Sequence, residues 1–228
     1  MSIMFEEKDD FIGKAIKLYK TNPQKFKSIL TLVIISLLII FFISIHIKRK
    51  KEEIKNAYIE AGLIYNQELN SDTPYYDRII GAYKKVVDLN PSKNYLVDAY
   101  LTLGDCYSNQ KDFEKAIEYY DKAISILKKD DYLYYQALLS KANVYNENNN
   151  ETTAITIYGE IYNSEKTPQS FKNEAGLNLA YIKEKQNEIE ESKNIYKKIY
   201  EQNKDNMWQK IALMNIQRVE ALNEISNK

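Results

Sequence analysis

The sequence predicts an all-α protein: one N-terminal transmembrane helix, then an α-solenoid of about four helix pairs closed by a C-terminal capping helix. Three observations carry this prediction. Residues 28–47, SILTLVIISLLIIFFISIHI, form a run of twenty without a formal charge. Beyond that run, small and aromatic residues recur every 38 positions. Inside each period the apolar residues follow helical spacing and not the alternation of a strand.

The N-terminal tail, residues 1–27, carries six Lys against four acids. Phe11, Ile12, Ala15, Ile16 and Tyr19 share one face of a short helix, whereas Lys14, Lys17 and Lys20 fall elsewhere. Asp9 and Asp10 supply N-cap chemistry and Pro23 ends the segment. Such a helix suits a membrane surface, and a disordered tail is the other reading of the same residues.

At ~1.5 Å per residue, residues 28–47 are long enough to cross a hydrocarbon core of ~30 Å. A cleaved secretory signal fits poorly: the run is long, twenty-seven residues precede it, and FISIHIKRKK has no small-x-small cleavage site. The single cysteine, Cys106, lies too far downstream for a lipid-modified N-terminus. One cysteine cannot form an intrachain disulfide, so the redox compartment stays open. Residues 48–54, beginning Lys48-Arg49-Lys50-Lys51, form a basic juxtamembrane linker.

The balanced charge of the whole chain divides at the membrane. The first 51 residues carry a net +6, and residues 52–228 hold 22 basic and 28 acidic side chains, a net −6. Only Arg49, Arg78 and Arg218 supply guanidinium groups. An acidic domain so poor in arginine argues against nucleic acid as a partner.

Residues 55–206 are repetitive. Gly104, Ala142 and Ala180 are 38 apart, as are Ala116, Ala154 and Ser192, then Tyr120, Tyr158 and Tyr196, then Ala123, Ile161 and Ile199. Polar clusters at NSDTP, SNQKD, NENNN and EKQNE interrupt the apolar pattern, so each unit reads as two antiparallel helices joined by a turn. The units fall at about 55–93, 97–130, 135–168 and 173–206. Small residues sit where helices approach closely, and tyrosines fill the space between them. One pair alone cannot bury its apolar face, so stacking creates the core. Residues 207–228 follow as a capping helix, with Trp208, Ile211, Leu213, Ile216, Val219 and Leu222 on its apolar stripe. The other reading of that stripe is a surface for a partner.

Tyr100, Leu103, Gly104, Tyr107, Ala116, Tyr120 and Ala123 resemble the tetratricopeptide repeat (TPR) family, whose motif spans about 34 residues. Leu138, Ala142, Tyr145, Ala154 and Tyr158 match it less fully, as do Leu179, Ala180, Ser192 and Tyr196. Tyr58, Gly62, Tyr65, Tyr83 and Pro91 mark a first unit with about five residues inserted around NSDTP. The resemblance implies a binding module for proteins or peptides.

The residue inventory points away from catalysis. The only histidine, His46, sits at the edge of the apolar run, which leaves the repeats without imidazole for acid–base work or metal ligation. Six glycines never cluster into a phosphate-cradling loop. Cys106 reads as a small buried filler, and Asp130, Asp131, Glu190 and Glu191 read as solvated turn or helix-start residues. We therefore expect no enzyme, no cofactor, no metal and no small-molecule substrate.

The resemblance implies that the first helix of each unit forms a concave wall. Its groove-facing positions become Asp98, Leu101, Asp105 and Asn109, then Gln136, Leu139, Asn143 and Glu147, then Glu174, Leu177, Tyr181 and Glu184. Chaperone-binding members of the family grip a terminal carboxylate with Lys and Asn at such places, and this wall is acidic and amide-rich. A basic or mixed apolar and polar partner segment fits it better, and a merely solvated face is the alternative.

The layout, with EEKDDFIGKAIKLYK before the span and MWQKIALMNIQRVEAL at the end, also resembles the membrane-anchored TPR ancillary subunit of the bacterial SecYEG translocon. That likeness implies an inner-membrane, single-pass protein with periplasmic repeats that works beside a chaperone on newly translocated proteins. Five basic residues flank the span on each side, so the positive-inside rule does not select an orientation. The KRKK cluster favours the alternative, a cytoplasm-facing scaffold for a motility, division or secretion machine.

Overall fold

The computed structural model describes the backbone of residues 3–129 and 131–226 and the side chains of 12–129 and 131–221. Two compact units divide between Asn56 and Ala57.

The first unit holds α1 (Ile3–Thr21) and all of the apolar run in α2 (Pro23–Leu69). Helix α1 begins earlier than the tail sequence suggests, so Asp9 and Asp10 lie inside it and not at its cap; their side chains and that of Phe11 lie outside the described residues. Helices α1 and α2 part at Asn22, whose Oδ1 accepts the Lys25 N–H at 3.1 Å. Pro23 then takes the first helical position, where its missing N–H costs nothing. Helix α2 is long and apolar enough to cross a membrane, and no residue in its most apolar stretch is buried. Residues 48–54, expected as a linker, continue α2 without a break.

Every regular element among the described residues of the second unit is a helix. The last turns of α2 pair with α3 (Tyr76–Asp88), α4 (Lys93–Asn109) with α5 (Phe113–Ile126), α6 (Tyr132–Glu147) with α7 (Glu151–Asn163), and α8 (Gln169–Lys185) with α9 (Ile189–Gln202). Helix α10 (Met207–Ser226) packs on α9. The inserted stretch around NSDTP is a six-residue loop, 70–75, where the other three pairs turn in three residues.

Those three turns share one hydrogen-bond scheme. Lys111, Asn149 and Asn187, 38 apart, have φ of 63°, 58° and 64°. The next N–H in each turn, at Asp112, Asn150 and Glu188, donates five residues back to Tyr107, Tyr145 and Lys183 at 2.9, 2.8 and 2.8 Å. This is the Schellman closure, which satisfies carbonyls the helix end leaves open. Asp112 and Asn150 then cap the following helices, accepting from the N–H groups of Lys115 and Thr153 at 3.3 Å. Asp131 likewise sits at the start of α6, its carboxylate accepting the Lys128 N–H, and Asp130 lies outside the described residues. Glu190 and Glu191 occupy the first turn of α9.

Each of the four periodic series enters the core. Ala116, Ala154 and Ser192 are fully buried, and Tyr120, Tyr158 and Tyr196 are 2%, 1% and 1% exposed. Gly104 shows why a small residue is needed: a Cβ there would stand 2.7 Å from Cε1 of Tyr120. Burying a ring of that size outweighs the roughly 0.5–1 kcal/mol that a helical glycine loses relative to alanine. On α10 the buried stripe is Ala212, Ile216 and Val219, with Trp208 and Ile211 half-buried. Leu213, expected on this stripe, is 40% exposed because the helix rotates it away from α9. The Leu222 side chain lies outside the described residues.

Candidate functional site

The twelve expected groove positions lie on α4, α6 and α8. Leu101 and Leu139 are buried, at 7% and 4% exposure, and Leu177 is half-buried against the core. Neighbouring first helices pack side by side, α4 on α6 and α6 on α8, and Leu101 and Leu139 fill the core there. Leu177 keeps a partly exposed side.

Most of the polar positions are also engaged within the fold. Asp98 Oδ2 accepts the Tyr58 hydroxyl at 2.8 Å, and Asp105 Oδ1 accepts the Tyr120 hydroxyl at 2.6 Å. Asn143 Oδ1 accepts the Tyr158 hydroxyl at 2.6 Å and the Asn178 amide at 3.2 Å. Asn109 donates back to the Asp105 carbonyl at 2.8 Å. Glu184 holds Arg218 of α10 with both carboxylate oxygens, and Arg218 also donates to Asn215 Oδ1 at 2.9 Å.

These pairings set the electrostatics of the wall. Burial pushes the Asp105 carboxyl above its usual range, and donation from Tyr120 partly opposes that. Burial, then the Asp105 charge, pushes the Tyr120 hydroxyl far up. The Tyr158 hydroxyl rises too, through burial first and through the nearby charges of Glu147 and Glu174.

What remains open is smaller than the full wall. Asn109, Glu147, Glu174 and Tyr181 are exposed and Gln136 is half-buried. Among the described residues neither Glu147 nor Glu174 has an ion-pair partner within 4 Å, and partial burial lifts the Glu174 carboxyl above its normal range. On α6 and α8, two carboxylates, a tyrosine ring and the half-buried Gln136 amide thus stay open, and the same two helices carry Asn143 and Asn178, both half-buried. Such a patch attracts ammonium or guanidinium groups. Sequence reasoning missed Tyr58, Asn178 and Arg218. The tyrosine series was a signal for Tyr120 and Tyr158, but it read only as packing.

Cys106 is 2% exposed, and burial followed by the Asp105 charge pushes its thiol up to about 12. A thiol in that state is a filler and not a nucleophile at neutral pH. Among the described residues, no three His, Cys, Asp or Glu side chains gather into a metal-binding group. A shallow cavity of about 340 Å³ lies between the end of α2 and α3, lined by Glu60, Asp77, Arg78, Lys85 and small apolar residues. Among its rim charges, Lys85 pairs with Glu60 at 3.1 Å and Arg78 with Glu68 at 2.5 Å, and Asp77 accepts from the Gln110 amide at 2.9 Å.

The tetratricopeptide repeat family model matches residues 97–130, and a second tetratricopeptide repeat model matches 175–206. No curated protein matches the chain significantly. Among solved structures, the chain is similar to the crystal structure of nearly identical TPR-like repeats from Podosopora anserina, assigned to a putative kinesin light chain. The TM-score is 0.59 at 10% identity, over 76% of this chain and 88% of that one. That likeness concerns the fold alone. The 38-residue periodicity, the stacked helix pairs and the two matched segments together establish that the chain carries tetratricopeptide repeats in an all-α solenoid, the architecture of a protein–protein interaction module.

Proposed function

We propose that this protein is a single-pass, membrane-anchored TPR module that binds proteins or peptides. It belongs beside the translocon and its chaperones at the outer face of the inner membrane. Residues 28–47 anchor it, 1–27 precede the anchor, 48–54 lead away from it, 55–206 carry the repeats and 207–228 close them. One observation supports this most: an uncharged helical run of twenty residues, exposed along its core, lies directly ahead of stacked repeats. An exposed apolar surface of that length is unstable in water and needs lipid around it.

The binding face is the open part of the wall, Gln136, Glu147, Glu174 and Tyr181, and its partners are basic or mixed apolar and polar segments. The other polar wall residues, Asp98, Asp105, Asn143 and Glu184, shape this face from behind. Photo-crosslinking from position 181 in cells should capture a defined set of membrane or exported proteins. Glu147→Lys with Glu174→Lys should abolish that capture while the helical circular dichroism spectrum is kept. Capture unchanged by the double reversal would end the proposal for this face.

Lys48-Arg49-Lys50-Lys51 immediately after the run favours the opposite sidedness, a cytoplasm-facing scaffold. Protease added to intact spheroplasts separates the two. Digestion of the repeats places them outside, and protection until lysis places them in the cytoplasm.

A further inference from the structure

Helix α1 presents an apolar face that is half exposed. Ile12, Ile16 and Tyr19 are 55%, 51% and 55% exposed and lie along one side of the helix. Lys14, Lys17 and Lys20 are exposed on its other sides. The corner into α2 is held by Tyr19, whose ring meets Phe26 edge-on with centroids 5.5 Å apart. Between α1 and α2 lies an apolar cleft of about 470 Å³, lined by Lys14, Ala15, Leu18, Phe26, Ile29 and Val33 among others.

We infer that α1 is a second membrane element, an in-plane helix that sinks Ile12, Ile16 and Tyr19 into the acyl boundary of an anionic leaflet, with a lipid chain filling the cleft beside α2. This rests on reading residues 28–47 as a span. Position supplies the first argument. Only Asn22 separates α1 from α2, and the uncharged run begins at Ser28. At ~1.5 Å per residue the end of α1 stands within roughly 10 Å of the hydrocarbon, the depth reached by interfacial helices. Three cleft residues, Ile29, Leu30 and Val33, belong to the run itself, so the cleft opens where acyl chains begin. Charge supplies the second argument: every charged residue between positions 11 and 51 is basic, including Lys17, Lys20, Lys25 and Lys27. Lysines beside a buried apolar face are drawn to lipid phosphates, and a tyrosine at the corner suits the interface.

The test uses the full chain with Cys106→Ala, reconstituted in phosphatidylglycerol/phosphatidylethanolamine vesicles. Single cysteines at 12, 16, 19, 17, 21 and 38 carry an environment-sensitive fluorophore. We expect blue-shifted emission from positions 12, 16, 19 and 38 and water-like emission from 17 and 21. In phosphatidylcholine vesicles, positions 12, 16 and 19 should shift back toward water while 38 stays buried. Water-like emission at 12, 16 and 19 with position 38 buried overturns the inference and leaves the span intact. Equal burial in phosphatidylcholine overturns the role given to the lysines. Water-like emission at 38 overturns the span reading itself.

Discussion

The Tyr120 hydroxyl donates to Asp105 Oδ1 at 2.6 Å from a ring that is 2% exposed, and 38 residues later Tyr158 makes the same bond to Asn143. The carboxylate and the amide do the same structural work, but only the carboxylate is penalised for its charge. Burial raises the Asp105 pKa above its ordinary value. A carboxyl raised in this way lends stability that is full below its unfolded pKa of about 3.9 and is lost as pH rises through its folded value. Asp105→Asn, which installs the amide of the next repeat, is therefore expected to raise the melting temperature of the detergent-solubilised chain at pH 7. The gain should vanish near pH 3.5, and an equal gain at both pH values would contradict the assignment.

Close approach at Gly104 predicts a costly alanine. The added Cβ would meet three ring atoms of Tyr120 between 2.7 and 2.9 Å, and that ring is locked by its bond to Asp105. Gly104→Ala should destabilise by about 1–3 kcal/mol in urea unfolding. Gly159, in the middle of α7, is a control, since a Cβ there meets nothing within 4 Å. Gly159→Ala should stabilise by about 0.5–1 kcal/mol.

Lys111 holds a left-handed backbone that its counterparts Asn149 and Asn187 adopt more easily. A lysine in that region costs roughly 1–2 kcal/mol, and asparagine is among the few residues that visit it readily. Lys111→Asn should therefore stabilise the chain by about 1 kcal/mol. An unchanged unfolding midpoint would mean that the turn relaxes without strain.

Asn173 and Asn203 exchange amide hydrogen bonds at 2.7 and 3.0 Å while only 1% and 4% exposed. They fasten α8 to the loop between α9 and α10, where Asn206 also donates to Asn203 and caps α10. Asn203→Leu alone strands the Asn173 amide and should cost about 1–3 kcal/mol. Asn173→Leu with Asn203→Leu should cost less than the sum of the two single changes, because neither polar partner is then left buried and unsatisfied. A double-mutant cycle by urea denaturation reads the coupling directly.

The amino-acid sequence alone determined the fold class, the helix pairs and their turns, and the run of twenty uncharged residues. Each depends on local periodicity: Gly104, Tyr120 and their counterparts at 38-residue steps reach the core because every helix pair repeats the same geometry. Only the tertiary structure decided which wall residues stay free. Asp98 is taken by Tyr58, 40 residues away, and Glu184 by Arg218 from the terminal helix, while the seams between first helices absorb Leu101 and Leu139. A polar side chain on a helix face looks the same in sequence whether it meets water or a distant hydroxyl. The partner is brought by the packing of another element, and that packing leaves Glu147 and Glu174 outward and unpaired among the described residues.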